Sequence, residues 1–201
     1  LNFDDPRSRL FFTFRDILFY WIDRNPKLRF LLENVRMKKE WRDVITGQMG
    51  LEPVLINSAL VSAQNRERLY WANWDFPQPE DKNILWTDVQ EENAKNVFYY
   101  TDGSFAWINK SDTRKKKFKI YTLNTESKMQ MLEASHYKGY SNQRCFGVQD
   151  LDGVRYISVL ECERLQTVGE GYTSGVSNTQ RYKMLGNGWT VDVLAHIFSY
   201  M

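Results

Sequence analysis

The stretch "KLRFLLENVRMKKE" (Lys27–Glu40) decides how the chain is read. Its centre, Phe30, Leu31 and Leu32, has the apolar character of a buried strand. That strand then ends on a carboxylate and an amide, Glu33 and Asn34. A charged group at the tip of an apolar strand is costly unless something pairs with it. In open α/β sheets, the carboxyl tips of the strands are where ligands bind. Glu33 is therefore the first candidate functional residue, and the question is what it pairs with.

Upstream, Pro6 to about Arg24 repeats apolar residues at three- and four-residue spacing. Leu10, Phe11, Phe14, Ile17, Leu18 and Trp21 predict a helix with one wide apolar face. Asn25-Pro26 should end it, because a residue preceding proline is pushed out of the α region. Downstream, "MKKEWRDVITGQMG" (Met37–Gly50) predicts a short helix stopped by Gly50. "EPVLINSALV" and "RLYWANW" then read as strands flanking the polar turn "SAQNRE". The strand around Phe30–Val35 is expected to lie beside this pair in parallel fashion.

From Phe76 to Tyr156 the character changes. Pro77 and Pro79 open the segment, and an acidic stretch follows. In "NKSDTRKKKFK", six basic residues stand against the single Asp112. Short β-like runs, "FYYTDGSFAWI" and "FKIYTL", alternate with polar turns, so the segment reads as an inserted, loop-rich lobe. Helical periodicity returns in "SVLECERLQTV" and "TQRYKMLGNGWTVDVLAHIFSYM".

Composition sets the outer bounds. A chain of 201 residues can bury a substantial core, and 15% aromatic residues argue against disorder. A net charge of +2 does not by itself announce a nucleic-acid binder. The two cysteines, Cys145 and Cys162, have neither metal-ligand spacing nor a disulfide pattern, which favours a reducing, cytoplasmic setting. No apolar run reaches membrane-spanning length, so no membrane partner is expected. The chain starts at Leu1 and reads as a piece of something longer.

Three separated motifs fall in a fixed order: "ENV" at Glu33–Val35, "QNRER" at Gln64–Arg68, and "LGNGWTVDVLAHIF" at Leu185–Phe198. With "ECERLQTV" just after the lobe, the order resembles the C-terminal two-thirds of the DNA cytosine-5 methyltransferases. The leading "RSRLFFTFRDIL" and the form of the last motif look closest to phage and bacterial members similar to the animal de novo methyltransferases. The resemblance implies an α/β fold: a partial Rossmann-like methyltransferase sheet with a smaller mixed target-recognition lobe. It implies a catalytic part over residues 1–75, the lobe over 76–156, and a return to the catalytic part over 157–201.

The activity implied is transfer of a methyl group from S-adenosylmethionine to C5 of a cytosine flipped out of duplex DNA. Glu33 would hydrogen-bond N3 and the exocyclic amine as charge develops there. Arg68 would hold O2, Arg66 would brace the catalytic loop or a phosphate, and Asn34 and Gln64 would support the pocket. Gly186 and Gly188 would allow close backbone approach. Asn187, Gly188 and Trp189 would line the cofactor pocket, although Trp189 could instead be a core residue. Lys115, Lys116 and Lys117 suit phosphate contacts or a solvated loop equally well. His136, Lys138, Tyr140 and Arg144 form the other candidate DNA face.

The family's nucleophile, the cysteine of a Pro-Cys loop, is not found here. Neither cysteine follows a proline, and Cys162 reads as a small buried residue. The resemblance therefore implies a chain that is inactive alone and that joins a missing N-terminal half or associates with itself. The alternative is a non-catalytic DNA-binding or assembly subunit derived from such an enzyme.

Overall fold

The computed structural model describes residues 5–141 and 146–201. Helix α1 (Pro6–Arg24) stops where Asn25-Pro26 requires, with the Asn25 N–H closing the last turn on the Trp21 carbonyl. Strand β1 (Leu31–Val35) follows, then α2 (Lys39–Met49), which ends on Gly50 in the left-handed conformation. The Gly50 N–H caps the Thr46 carbonyl at 2.8 Å. Strands β2 (Val54–Asn57) and β3 (Glu67–Ala72) complete a three-stranded sheet in the order β1-β3-β2.

The β1–β3 pairing corrects the parallel expectation. The two strands run antiparallel, with Glu33 opposite Tyr70 and Val35 opposite Arg68. Their alternation sends Leu32, Leu69 and Trp71 to one face and Glu33, Arg68 and Tyr70 to the other. The first face builds a core with Leu18 of α1 and with Ile45 and Met49 of α2. The apolar face of α1 is narrower than its spacing suggested. Phe11, Phe14, Leu18 and Ile22 join the core, while Leu10, Ile17 and Trp21 are exposed. At 3.6 residues per turn, the exposed set lies roughly a quarter turn from the buried one.

The middle of the chain carries α3 (Trp86–Val89), α4 (Asp102–Asn109), α5 (Asp112–Lys117) and β4 (Lys119–Thr122). The run "FYYTDGSFAWI", read as β-like, is mostly α4. Its aromatic residues suit a strand, but Thr101 and Ser104 cap each other's backbone N–H groups and start a helix. The lysine run is likewise helical, at the C-terminal turn of α5, where cations suit the helix dipole.

Strand β5 (Phe146–Gln149) pairs parallel with β4, and β6 (Val154–Arg155) pairs antiparallel with β5. Three helices finish the chain: α6 (Val159–Leu165), α7 (Asn178–Asn187) and α8 (Val191–Phe198). The Ser158 hydroxyl caps α6, and the Glu161 carboxylate answers by accepting the Ser158 N–H.

The chain forms two compact units. One comprises residues up to Ile56, Glu67–Gln78 and Ile197–Met201; the other comprises Asn57–Arg66 and Pro79–His196. In the second unit, Tyr121, Phe146 and Val148 share one core with Val159, Cys162, Leu165 and Leu185. The segment expected to return at residue 157 therefore lies, up to His196, with the lobe strands. The same unit buries Arg155 against Glu161, whose carboxylate accepts two guanidinium hydrogen bonds at 2.7 and 2.9 Å. Among the described residues, no helix is long and apolar enough to cross a membrane.

Candidate functional site

In the first unit, the β1–β3 register makes Glu33 and Arg68 diagonal neighbours on one sheet face. The Arg68 Nε donates to Glu33 Oε1 at 2.9 Å, and both side chains are largely buried. A second Arg68 N–H donates to the Glu67 carbonyl at 2.8 Å. Arg36 closes on the Glu67 carboxylate at 2.6 Å. Glu33 thus has an orienting partner on the next strand.

Asn34 is not beside Glu33. Successive strand residues face opposite ways, and Asn34 looks onto the α1–α2 side. There it lines an open groove of about 580 Å³ with Leu10, Phe14, Val35, Met37 and Trp41, and its Oδ1 accepts the Val35 N–H. The structure therefore does not bring Asn34 to the sheet face of Glu33, where the base pocket it was expected to support would lie.

Gln64 and Arg66 belong to the second unit and are almost completely buried, at 0% and 4% exposure. Gln64 Nε2 donates to the Leu165 carbonyl (2.6 Å) and to Gln166 Oε1 (3.0 Å), and its own oxygen accepts the Leu132 N–H. The Arg66 guanidinium donates to the Leu132 carbonyl at 3.0 Å. It also donates to the carbonyls of Gly188 (2.8 Å) and Gly186 (3.3 Å). Gln166 in turn donates to the Leu185 carbonyl and accepts from the Thr190 hydroxyl. "QNR", "RLQ" and "GNG", far apart in sequence, meet in one buried network. Arg66 serves there as a clamp on main-chain carbonyls; of its two expected roles, bracing the catalytic loop or a phosphate, this buried position disfavours the second.

Apart from that of Leu132, the carbonyls held by Arg66 and Gln166 lie at or just beyond the end of α7, where main-chain acceptors have no helical partner. A guanidinium there also suits the negative end of the helix dipole. Gly186 is required by contact: a Cβ at that position would lie 2.2 Å from the Ala134 nitrogen and the Glu133 carbonyl carbon. Beyond Asn187, Gly188 is extended, and Trp189 emerges 53% exposed, so it is not a core residue.

The neighbouring helix α6 adds a second hub. Glu163 is fully buried and accepts from Gly171 N–H, Thr173 N–H and Arg181. Burial alone would raise its pKa, but the bonds from Thr173, Gly171 and Arg181 hold it below the usual value. Cys162 is buried between Glu161 and Glu163, and burial pushes its thiol well above the normal range. A thiol so placed is a packing group, not a nucleophile.

His136 does not face outward. It is 5% exposed, its ring lies 4.7 Å from that of Phe146, and its Nδ1 accepts the Glu133 N–H at 2.8 Å. Burial lowers its pKa, so the ring is neutral inside the fold. This corrects its assignment to a DNA face, since a stacking residue must be reachable. Lys138 is exposed; Arg144 and Cys145 lie outside the described residues, as does the side chain of Tyr140. Lys115, Lys116 and Lys117 are all exposed on α5. Lys116 and Lys117 rim an open groove of about 470 Å³ that Lys119, Lys128, Asn65 and Gln130 also line. Apart from Lys116 and Lys117, those groove residues were not singled out by sequence reasoning. Lys119 could have been noticed beside the lysine run, but nothing in the sequence marked Gln130.

The profile of the C-5 cytosine-specific DNA methylases matches residues 1–201. The Type II methyltransferase M1.ScrFI of Lactococcus lactis subsp. cremoris is 28% identical over 100% of this chain and 57% of its own length. The Type II methyltransferase M.HpaII of Haemophilus parainfluenzae is 24% identical over 96% of this chain and 64% of its own. Among solved structures, the Dnmt2 methyltransferase of S. pombe superposes with a TM-score of 0.73 at 17% identity, covering 97% of this chain and 70% of that one. The methyltransferase EhMeth of Entamoeba histolytica gives 0.68 at 16% identity, over 98% of this chain and 69% of that one. The chain belongs to the C-5 cytosine-specific DNA methylase family and has its Rossmann-like α/β fold. It spans about three-fifths of the curated relatives' length.

Proposed function

We propose that this chain carries the target-base pocket, the DNA-reading lobe and one wall of the cofactor pocket of a DNA cytosine-5 methyltransferase. The observation that carries the reading is the Glu33–Arg68 pair, 2.9 Å apart on one sheet face. In the reaction, a thiolate adds to C6 of the flipped cytosine and makes C5 nucleophilic. C5 then takes the methyl group and loses its proton as the thiolate leaves. Glu33, oriented by Arg68, holds N3 and the exocyclic amine and stabilises the charge that develops on the ring. Arg68 also reaches O2.

S-adenosylmethionine supplies the methyl group when bound. The exposed ring of Trp189, presented by the extended Gly188 next to Asn187, fits one wall of its pocket. Neither Cys145 nor Cys162 follows a proline, and Cys162 is buried. The thiolate in this reading comes from outside these 201 residues, and the chain alone transfers no methyl group. Strand β1, an edge strand in its sheet, and the apolar groove beside it suit docking of the segment that brings the thiolate. A lone, stable monomer in sedimentation would count against that docking.

The test is transfer of radiolabelled methyl from S-adenosylmethionine to duplex DNA. The chain is assayed alone and joined to a methylase N-terminal region bearing a Pro-Cys loop. We expect activity only in the joined form, falling at least 100-fold with Glu33→Ala. Undiminished methylation by that variant would remove Glu33 from the base pocket.

A further inference from the structure

Helix α6 ends in a Schellman turn. The Thr167 N–H donates to the Arg164 carbonyl at 3.0 Å, and the Val168 N–H to the Glu163 carbonyl at 3.1 Å. Such a turn needs a left-handed residue directly after the helix cap, a place that glycine usually takes. Here the residue is Thr167, with a φ of 55°. Among the described residues, Asn83 and Asn96 are the other non-glycine positions with positive φ. Asparagine tolerates that region, whereas a β-branched side chain is strained in it. Strain of this kind persists only where the surroundings impose it, and it points to a use.

That use lies in what the hydroxyl touches. Thr167 Oγ1 donates to the Gln166 carbonyl at 2.8 Å and accepts the Asp192 N–H at 2.9 Å. Asp192 stands in the first turn of α8, where backbone N–H groups have no helical acceptor. The Gln166 carbonyl takes the neighbouring Val191 N–H at 3.0 Å. Thr190, directly before α8, donates its own hydroxyl to Gln166 Oε1 at 2.9 Å. The start of α8 is therefore capped from another helix, by Gln166 and Thr167. Glycine at position 167 would relieve the backbone but remove the acceptor for Asp192.

The cap closes an arch. On one side of Trp189, the Gly188 carbonyl is held by Arg66 at 2.8 Å. On the other, Thr190, Val191 and Asp192 are held by Gln166 and Thr167. Trp189 stands between these fastenings, 53% exposed. Packing alone does not fix an indole so exposed, and the backbone on either side sets where it stands.

We propose that Thr167 is a positioning residue for the methyl donor: its left-handed backbone turns the hydroxyl onto α8, and the arch so closed holds Trp189 in place for S-adenosylmethionine. Thr167 itself touches no reactant. The proposal rests on the reading of Trp189 as one wall of the cofactor pocket and adds the residue that fixes that wall.

The experiment compares Thr167→Gly, which suits the left-handed backbone but has no hydroxyl, with Thr167→Ser, which keeps the hydroxyl. Thr167→Gly should melt within about 3 °C of the wild type, since relief of strain offsets the lost cap. The 201-residue chain is labelled with 5-fluorotryptophan, and the Trp189 fluorine signal is assigned by its loss in Trp189→Phe. That signal should be one narrow line in the wild type and in Thr167→Ser, and should broaden or split in Thr167→Gly. A lower melting temperature with an unchanged Trp189 line would make Thr167 a structural residue only. In the chain joined to a methylase N-terminal region, calorimetry with S-adenosylhomocysteine should show about 10-fold weaker binding for Thr167→Gly, the scale of one buried donor left unpaired. Thr167→Ser should stay within about 2-fold of the wild type. Trp189→Ala tests the wall itself. If it weakens binding while Thr167→Gly does not, or if the glycine and serine variants weaken binding equally, Thr167 is only a helix end and the methyltransferase reading stands. If Trp189→Ala binds as the wild type does, Trp189 is no wall and both readings of this site fall.

Discussion

Replacing Arg66 by methionine separates its two readings. The buried guanidinium makes two strong bonds, to the carbonyls of Leu132 (3.0 Å) and Gly188 (2.8 Å), and a longer one to Gly186 (3.3 Å). Methionine keeps an unbranched, flexible side chain but donates nothing. Each buried carbonyl left without its donor costs about 1–3 kcal/mol. Two strong bonds and one weak one give about 3 kcal/mol, after allowing for relief of the desolvated charge. For a unit of this size, that lowers the melting temperature by about 10 °C. Lysine at the same position should recover less than half of the loss, because one ammonium cannot span carbonyls on two segments.

Scanning fluorimetry of the three proteins reads this directly. A methionine variant melting within about 2 °C of the wild type would refute the clamp. If that variant also lost DNA affinity, the phosphate-bracing role would be restored.

Two further substitutions probe the same region. Gly186→Ala drives a Cβ to 2.2 Å from backbone atoms of Glu133 and Ala134, which no rotamer can relieve, so we expect about 3 kcal/mol of destabilisation in urea titrations. His136 is held neutral by burial, with its pKa below the unfolded value of about 6.5. The unfolded chain then binds the extra proton first, so stability should be full above pH 6.5 and fall as the pH drops toward 5. His136→Asn, whose Oδ1 can still accept the Glu133 N–H, should flatten that part of the urea-midpoint profile; parallel profiles would exclude His136 as the titrating group.

What could be read from the sequence was local. The ends of α1 and α2 were legible because Asn25-Pro26 and Gly50 stop helices through their own backbone limits. The strand at Leu31–Val35 was legible from its apolar run. The opposite facing of Glu33 and Asn34 was also there to be read, since adjacent strand residues cannot share a face. The α4 helix was hidden by its aromatic content, which masked the Thr101–Ser104 cap. Burial of Gln64 and Arg66 could not be read at all. In sequence they sit in a polar, charged turn, and their acceptors are carbonyls 66 to 122 residues away. No residue type marks a carbonyl as the partner of a buried arginine.

That choice of partner explains why the motifs belong together. A buried guanidinium suits carbonyls that no backbone donor satisfies, and a helix C-terminus is the common source of them. The end of α7 supplies them at Gly186 and Gly188, while Gln166 of the "RLQ" motif takes Leu185 and holds Gln64. Gly186 must be glycine for α7 to lie this close to the Glu133–Ala134 backbone. The chain leaves the capped end extended at Gly188, and that geometry sets the exit of Trp189. Two residues beyond Arg66, Arg68 stands on β3 and orients Glu33. One five-residue motif, running from a turn into β3, therefore feeds both halves of the proposed chemistry: its first and third residues fix the backbone that presents Trp189, and its fifth orients Glu33. An insertion of one residue between Arg66 and Arg68 would move the second arginine to the other sheet face. It should abolish methylation in the joined enzyme while sparing the Gln64–Arg66 network, a separation that thermal melting and the methyl-transfer assay together would detect.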